Sequence, residues 1–408
     1  MNNNRKIVIL GSTGSIGENA LRIVQTLPQE HRQEVIALAA HSNYKRLLEQ
    51  AQEFNVKHVA LMTHDAAEAA RAIAPKDVCV HEGVEGMCTL ATLEGNERLI
   101  CAIVGMAALP PVVAAINAGI DVAIATKEVL VAAGEFVCKL CEEKKVNLYP
   151  IDSEHSAIFQ ALQDSGATPW CVRNNPKFMS ASPSYVNPTI ERLILTASGG
   201  PFAFLPEVDF SKITVEQALK HPRWSMGPKV TIDSSTMMNK GLELIEARWL
   251  FDIPMSQIDV LVHPESIVHS LVEFKDGAQL AQLGVPDMRV PIQYAMTWPY
   301  RVSNQTLPRL KLEQQETLHF YQPNYERFPC LRLAREACEI GGLTPCVMNA
   351  ANEVAVEKFI KGNIPMPRIW ELISNAMASA PLLGDDGITL DAIFDADKEA
   401  RIYTKESI

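Results

Sequence analysis

The segment that most restricts the fold lies at residues 6–26. Lys6 to Leu10 reads K-I-V-I-L, a short apolar run suited to a strand buried on both faces of a parallel sheet. Gly11-Ser-Thr-Gly14-Ser-Ile-Gly17 follows at once, and a helical pattern runs from Asn19 to Thr26. Strand, glycine turn and helix in that order form the entry of a mononucleotide-binding α/β unit. Gly11 and Gly14 let the backbone approach a pyrophosphate, while Thr13, Ser15 and the helix N-terminus supply donors. The spacing is GxxGxxG rather than GxGxxG, so the turn argues mainly through its place after the first strand.

Further strands are expected at Glu34–Ala40, Val56–Met62, Leu99–Val104, Asp121–Ala125 and Val146–Ile151, with helical patterns between them. That alternation describes a parallel, Rossmann-like sheet. The second strand ends in His41-Ser42-Asn43, with Lys45 and Arg46 beyond. No carboxylate stands there to repel a ribose 2′-phosphate, so the pattern favours NADP over NAD. Lys127 and Glu128, after Thr126, close another strand and are candidates for the ligand crevice; a solvated pair at a helix start is the alternative. Asp152-Ser153-Glu154-His155 closes the last strand. In an extended segment Asp152 and Glu154 face the same way and need a cation between them, for which a hard divalent ion is the simplest choice. The alternative is an acidic first turn of a helix, because A-I-F-Q-A-L follows.

Residues 165–189 read as an exposed excursion, and Glu191–Leu195 as a strand. Ser198-Gly199-Gly200 is a plausible anion nest. The densest run of reactive types is His221 to Trp249. Around Pro222, Gly227 and Pro228, His221, Trp224 and Met226 read as a mobile loop, placed at 219–228. Val230-Thr231-Ile232 follows as a β-type run. Ser234, Ser235, Thr236, Asn239 and Lys240 then stand as donors at a helix entrance, where free N–H groups suit phosphate, and Glu243 lies one turn inside as a candidate metal ligand. Asp259–His263, Ile267–Phe274 and Gln279–Leu283 predict a second sheet, and Pro286-Asp287-Met288-Arg289 opens a helix. The expected division is a cofactor domain at 1–151, a catalytic domain at 152–298, a proline-spaced linker at 299–322 and a helical domain at 323–408.

Net charge −11, with no basic patch or tail, argues against nucleic acid and anionic membranes as partners. Nine scattered cysteines, including a lone Cys138-x-x-Cys141 pair, suit buried thiols in a reducing compartment. Neither a signal-peptide core nor a run of ~18 apolar residues is present, so a soluble cytoplasmic protein is expected.

Together these features describe a metal-assisted NADP oxidoreductase acting on a small phosphorylated compound. The sequence also resembles the 1-deoxy-D-xylulose 5-phosphate reductoisomerase family over essentially its whole length. The resemblance is carried by G-S-T-G-S-I-G at 11–17, K-E at 127–128, D-S-E-H-S-A-I-F-Q at 152–160 and S-G-G-P-F at 198–202. It continues through the 221–249 stretch, H-P-E-S-I-V-H-S at 263–270, P-D-M-R at 286–289 and N-A-A-N-E at 349–353.

The resemblance implies NADPH- and metal-dependent isomerisation and reduction of 1-deoxy-D-xylulose 5-phosphate to 2-C-methyl-D-erythritol 4-phosphate, by a homodimer. Mg²⁺, Mn²⁺ or Co²⁺ is implied at Asp152, Glu154 and Glu243. Ser198, Ser234, Asn239 and Lys240 are implied to hold the phosphate, Ser153 and Lys127 to address the substrate near the metal, and His221, Trp224 and Met226 to close over it. Gly11, Thr13, Gly14, Ser15, Ile16, His41, Ser42, Asn43, Thr126, Lys127, Glu128, Gly227 and Met288 are implied to contact NADPH, and Glu246 to stand behind the metal ligands. Two departures stand out: the family usually has Asn where this chain has Thr126, and some members carry Gly-Lys-Asn in place of His41-Ser42-Asn43. The rival readings are a catalytically inactive NADP-binding sensor, and an oxidative decarboxylase, which would want arginines in place of the Ser/Asn/Lys set.

Overall fold

The computed structural model describes residues 5–163, 170–172, 189–205, 207–221, 226–380 and 387–408. Its first half alternates strands and helices: β1 (Arg5–Leu10), α1 (Ser15–Thr26), β2 (Gln33–Ala40), α2 (Tyr44–Glu53), β3 (His58–Leu61), α3 (His64–Ile73) and β4 (Cys79–Glu82). It continues with α4 (Gly83–Ala91), β5 (Arg98–Cys101), α5 (Leu109–Asn117), β6 (Asp121–Ile124), α6 (Lys127–Lys144) and β7 (Leu148–Pro150). All seven strands are parallel, in the order β4-β3-β2-β1-β5-β6-β7. The K-I-V-I-L run sits at the centre, its four apolar residues fully buried. Strand order reverses between β1 and β5, and a ligand crevice opens beyond the carboxyl ends of strands at such a point. The Rossmann-like N-terminal half is thus as expected. β4 had no sequence signal, because C-V-H-E is a short edge strand of mixed polarity.

The next elements are α7 (Ser153–Ala161), β8 (Ile190–Ala197), α8 (Val215–Ala218), α9 (Pro228–Ser235), α10 (Met238–Phe251), β9 (Ile258–Val262), β10 (Val268–Phe274) and β11 (Gln279–Leu283). Their strands form a mixed sheet, β11-β10-β8-β9, separate from the first. Val230-Thr231-Ile232 is not a strand. It forms the middle of α9, where Gly227 caps, Pro228 opens the first turn and Thr231 N–H bonds to Gly227 O at 3.0 Å. Helix-start chemistry and burial of Thr231, Ile232 and Asp233 override the β-branched run.

Helix α11 (Arg289–Thr297) follows, then an irregular stretch with one short turn at Leu312–Gln314. The chain ends in α12 (Pro329–Ile340), α13 (Thr344–Ile360), α14 (Pro367–Ala378) and α15 (Leu390–Glu406). α13 is the buried spine of this group and also packs on α6 and α9. The C-terminal end of α11 returns to the first sheet. Arg98 donates to Ala295 O at 2.6 Å, and Arg5 and Gln33 each reach Met296 O at 2.8 Å. Carbonyls that a helix end leaves unpaired are thereby satisfied from about two hundred residues upstream. No helix among the described residues is long and apolar enough to cross a membrane.

Candidate active site

The glycine turn and the two carboxylate segments open onto one cavity of about 410 Å³. On one wall, Gly11 leaves β1 at φ +88°, and a Cβ there would lie 2.4 Å from Ala102 O, so only glycine lets the chain turn against β5. The turn delivers the start of α1 to the cavity, where Gly14, Ser15 and Ile16 form part of the lining. The N-cap Gly14 makes no side-chain cap bond, which leaves first-turn N–H groups available for an anion. Gly227 and Met288 line the same space.

Opposite stand the carboxylates. Asp152 is the N-cap of α7 and Glu154 lies in its first turn, so the acidic helix start describes the backbone and the extended segment does not. The side chains converge all the same: oxygens of Asp152, Glu154 and Glu243 lie within 4.8 Å of one another. Glu243 arrives from α10, one turn after Asn239 and three residues after Lys240, on a shared face. Two ammonium groups sit among these carboxylates. Lys127 Nζ is 2.7 Å from Asp152, 2.9 Å from Glu243 and 2.9 Å from Asn239 Oδ1. Lys240 Nζ lies 2.7 Å from Glu154 and also contacts Glu243. The cations that the local sequence lacked therefore come from α6 and α10. Three carboxylates against two ammoniums still leave excess negative charge, and burial together with Glu243 pushes Glu154 up to about 7. Clustered, buried, under-compensated oxygen donors fit a hard divalent ion.

A third wall carries hydroxyls. Ser198 Oγ is 3.0 Å from His221 Nε2, and Ser234, at the end of α9, faces the same cavity. Gly200 (φ +63°) presses on this helix so closely that a Cβ would lie 2.5 Å from Ser234 O. Ser198, Ser234 and Asn239 thus line one side, whereas the Lys240 ammonium is engaged by the carboxylates. Ser153 also lines the cavity and donates to Glu154. His221 and Met226 line it; Trp224 lies outside the described residues, as does the 222–225 part of the expected loop.

Behind the carboxylates, Glu246 is fully buried with its carboxylate 3.3 Å from His155 Nδ1, whose Nε2 contacts Glu243 O at 2.9 Å. Burial and the charge of Asp152 hold Glu246 well above the ordinary carboxylate range.

Several expected cofactor residues are not in the cavity lining. Thr126 is buried, with its hydroxyl turned to Ile103 O. Glu128 is buried against Lys229 at 2.9 Å; Lys229 also holds Asp233 at 2.8 Å, and Asp233 accepts from Asn352 of α13. His41, Ser42 and Asn43 are exposed at the end of β2, Asn43 capping α2, and the Arg46 guanidinium is taken by Glu18 at 2.6 Å. Gly11 and Thr13 shape the turn without lining the cavity. Sequence reasoning did not single out Thr196, Met237, Ser266 or His269, which do line it. Ser266 and His269 lie within the H-P-E-S-I-V-H-S motif, which was the available signal.

Family models described as 1-deoxy-D-xylulose 5-phosphate reductoisomerase match residues 7–134, and models for the C-terminal domains of that enzyme match 148–251 and 283–403. The chain is 46% identical over 406 residues to 1-deoxy-D-xylulose 5-phosphate reductoisomerase of Geobacter metallireducens, covering 99% of both. It is 44% identical over 399 residues to that of Pelotomaculum thermopropionicum, covering 97% of both. Among solved structures, the enzyme from Zymomonas mobilis in complex with NADPH aligns with a TM-score of 0.85 at 37% identity, over 99% of this chain and 98% of the other. A DOX-P reductoisomerase in complex with NADPH, fosmidomycin and magnesium aligns with a TM-score of 0.88 at 37% identity, over 98% of both chains.

Proposed function

The chain belongs to the 1-deoxy-D-xylulose 5-phosphate reductoisomerase family, and we propose that the cavity between α1, α7, α9 and α10 is where it carries out the family's reaction. The enzyme isomerises and reduces 1-deoxy-D-xylulose 5-phosphate to 2-C-methyl-D-erythritol 4-phosphate with NADPH and a divalent metal, in the non-mevalonate route to isoprenoids. When bound, the metal supplies Lewis-acid polarisation of substrate oxygens and NADPH supplies the hydride.

The chain's own residues do the rest. Asp152, Glu154 and Glu243 hold the metal. Lys127, anchored between Asp152 and Glu243, presents N–H donors to a substrate oxygen and offsets negative charge there. Ser153 addresses the substrate beside it. Ser198, Ser234 and Asn239 hold the phosphate, with the Gly199-Gly200 backbone behind them. Lys240 joins them when its ammonium leaves Glu154 and Glu243, a rotation its four-carbon stem allows. His221, Trp224 and Met226 close the cavity against water and retain the intermediate aldehyde. The α1 N-terminus at Gly14–Ile16 takes the cofactor pyrophosphate, Gly227 and Met288 flank the cofactor, and Ser42 and Asn43 stand at its ribose phosphate. Thr126 and Glu128 act indirectly, by fixing the start of α6.

The same oxygen donors would also accept Mn²⁺ or Co²⁺ in place of Mg²⁺. The nine free cysteines support a reducing, cytoplasmic setting. A homodimer is supported by the outer edge of β11, a strand that exposes Leu280 and Leu283. An inactive sensor is not favoured, because no residue of the metal or phosphate set is replaced.

The observation that carries this reading is the convergence of carboxylates, hydroxyls and a free helix N-terminus on one cavity. Adding 1-deoxy-D-xylulose 5-phosphate to protein with Mg²⁺ and NADPH should consume NADPH, followed by its absorbance; no consumption by folded protein overturns it. Glu243→Gln should lower turnover strongly, with added metal recovering part of it, and near-normal turnover would refute its metal role.

A further inference from the structure

We propose that His58, Cys79 and His81 form a second metal site, for a thiophilic divalent ion such as zinc, at the outer edge of the N-terminal sheet. Parallel pairing of β3 with β4 sets His58 opposite Cys79 and Ala60 opposite His81. Alternation along β4 turns Cys79 and His81 to the same face, with His58 beside them on the neighbouring strand. The imidazole centroids are 5.8 Å apart, and one donor atom from each residue lies within 4.8 Å of the others.

Two buried ring nitrogens, Nδ1 of His58 and Nε2 of His81, have no hydrogen-bond partner among the described residues. Buried polar atoms are costly unless satisfied, and a metal bond satisfies an imidazole nitrogen. Helix α4 holds the arrangement in place: a Cβ at Gly86 would meet His81 Cβ at 3.0 Å, so the helix backbone lies directly on that side chain. Arg71 is the cation nearest this cluster. The Arg71 cation is itself balanced by Glu68 and Glu82. Cys79 is free and exposed, giving both a thiolate ligand and an entry path.

Two imidazoles and one thiolate select zinc or cobalt over magnesium. Tetrahedral coordination at bond lengths of about 2.0–2.3 Å brings donors to roughly 3.3–3.8 Å, so the three side chains draw together on binding from their present spacing of within 4.8 Å. The fourth position is left to water or an outside ligand. The site stands apart from the candidate carboxylates: these follow β7, at the edge of the sheet opposite β4, six strand spacings or about 29 Å away, and His58 and Cys79 open their strands whereas the cavity lies beyond the carboxyl ends. A metal here bridges β3 to the edge strand and strengthens the folded state in which the ligands meet.

The test uses the full-length, reduced protein in excess Mg²⁺, titrated with Co²⁺. One equivalent should produce a thiolate-to-cobalt charge-transfer band that Zn²⁺ displaces. Cys79→Ser should abolish the band and His81→Ala should weaken cobalt binding by about tenfold or more. NADPH oxidation with Mg²⁺ should be unchanged in both variants, which also establishes that they are folded. Absence of the band in the wild type, or its persistence in Cys79→Ser, overturns the proposal.

Discussion

Gly200→Ala tests whether the close approach of the glycine loop to α9 sets the phosphate cradle. The backbone at Gly200 has φ +63°, where alanine costs about 1–2 kcal/mol. The added Cβ would also stand 2.5 Å from Ser234 O and 3.0 Å from Ser234 C, both backbone atoms that cannot rotate aside. Ordinary contact begins near 3.4 Å, so the end of α9 must retreat by about 0.9 Å. Misplacing a positioning group by about 1 Å costs roughly a hundredfold in rate, near 2.7 kcal/mol. Steady-state assays of NADPH consumption should therefore show kcat/KM for the sugar phosphate reduced by about a hundredfold. NADPH and metal affinities should stay as in the wild type, because α1 and the carboxylates are not displaced. Far-UV circular dichroism should remain native, with a modest fall in Tm. A kcat/KM within about threefold of wild type, less than 1 kcal/mol, would refute the reasoning.

Three further outcomes follow from the same geometry. Burial, then the Lys240 cation, holds His269 down at about 4, so between pH 6.5 and 4 the unfolded chain binds the extra proton. The stability present above pH 6.5 is lost as pH falls through that window, by about 3 kcal/mol in full, and urea midpoints at pH 7 and 4.5 should show His269→Asn losing less than wild type. Lys229→Met strands the buried Glu128 and Asp233 without their cation and should cost about 3–5 kcal/mol in urea denaturation; a loss below 1 kcal/mol would show that this network contributes little. Ser42→Asp puts a carboxylate at the exposed end of β2 and should shift cofactor preference toward NADH by about tenfold or more, measured as the ratio of Kd values; an unchanged ratio would place the ribose phosphate elsewhere.

What the sequence made legible was local. K-I-V-I-L and its glycine turn identify the central strand and the turn that brings α1 to the cavity, because burial and backbone approach are written in adjacent residues. Asp152, Glu154 and Glu243 were recognisable as candidate ligands, and their oxygens do converge, but the expectation that Asp152 and Glu154 meet by strand alternation was wrong: they meet at a helix N-terminus. V-T-I at 230–232 reads as strand by propensity and is helix by context. The pairing of Lys127 with those carboxylates had no local sign, since it reaches Glu243 across 116 positions, and Lys240 reaches Glu154 across 86; only the Lys240–Glu243 pair, three residues apart on α10, lay within one segment. Nor did Thr126 announce that its hydroxyl would be spent on Ile103, or Glu128 that it would pair with Lys229.

The tie between α11 and the first sheet bears on how such a chain can be divided or inherited. Arg98 is only 2% exposed, and its guanidinium finds its carbonyl acceptors at Ala295 and Met296. A fragment stopping after β7 keeps every strand of the first sheet, and leaves Arg98 its contacts with Asp121 and Tyr149, but removes both carbonyls that accept from its guanidinium. The cofactor half is therefore not a portable cassette. Grafting it onto another enzyme, or expressing it alone, requires carrying residues 289–297 with it, and recombination that separates the two segments should leave a soluble-looking sheet that does not hold its fold.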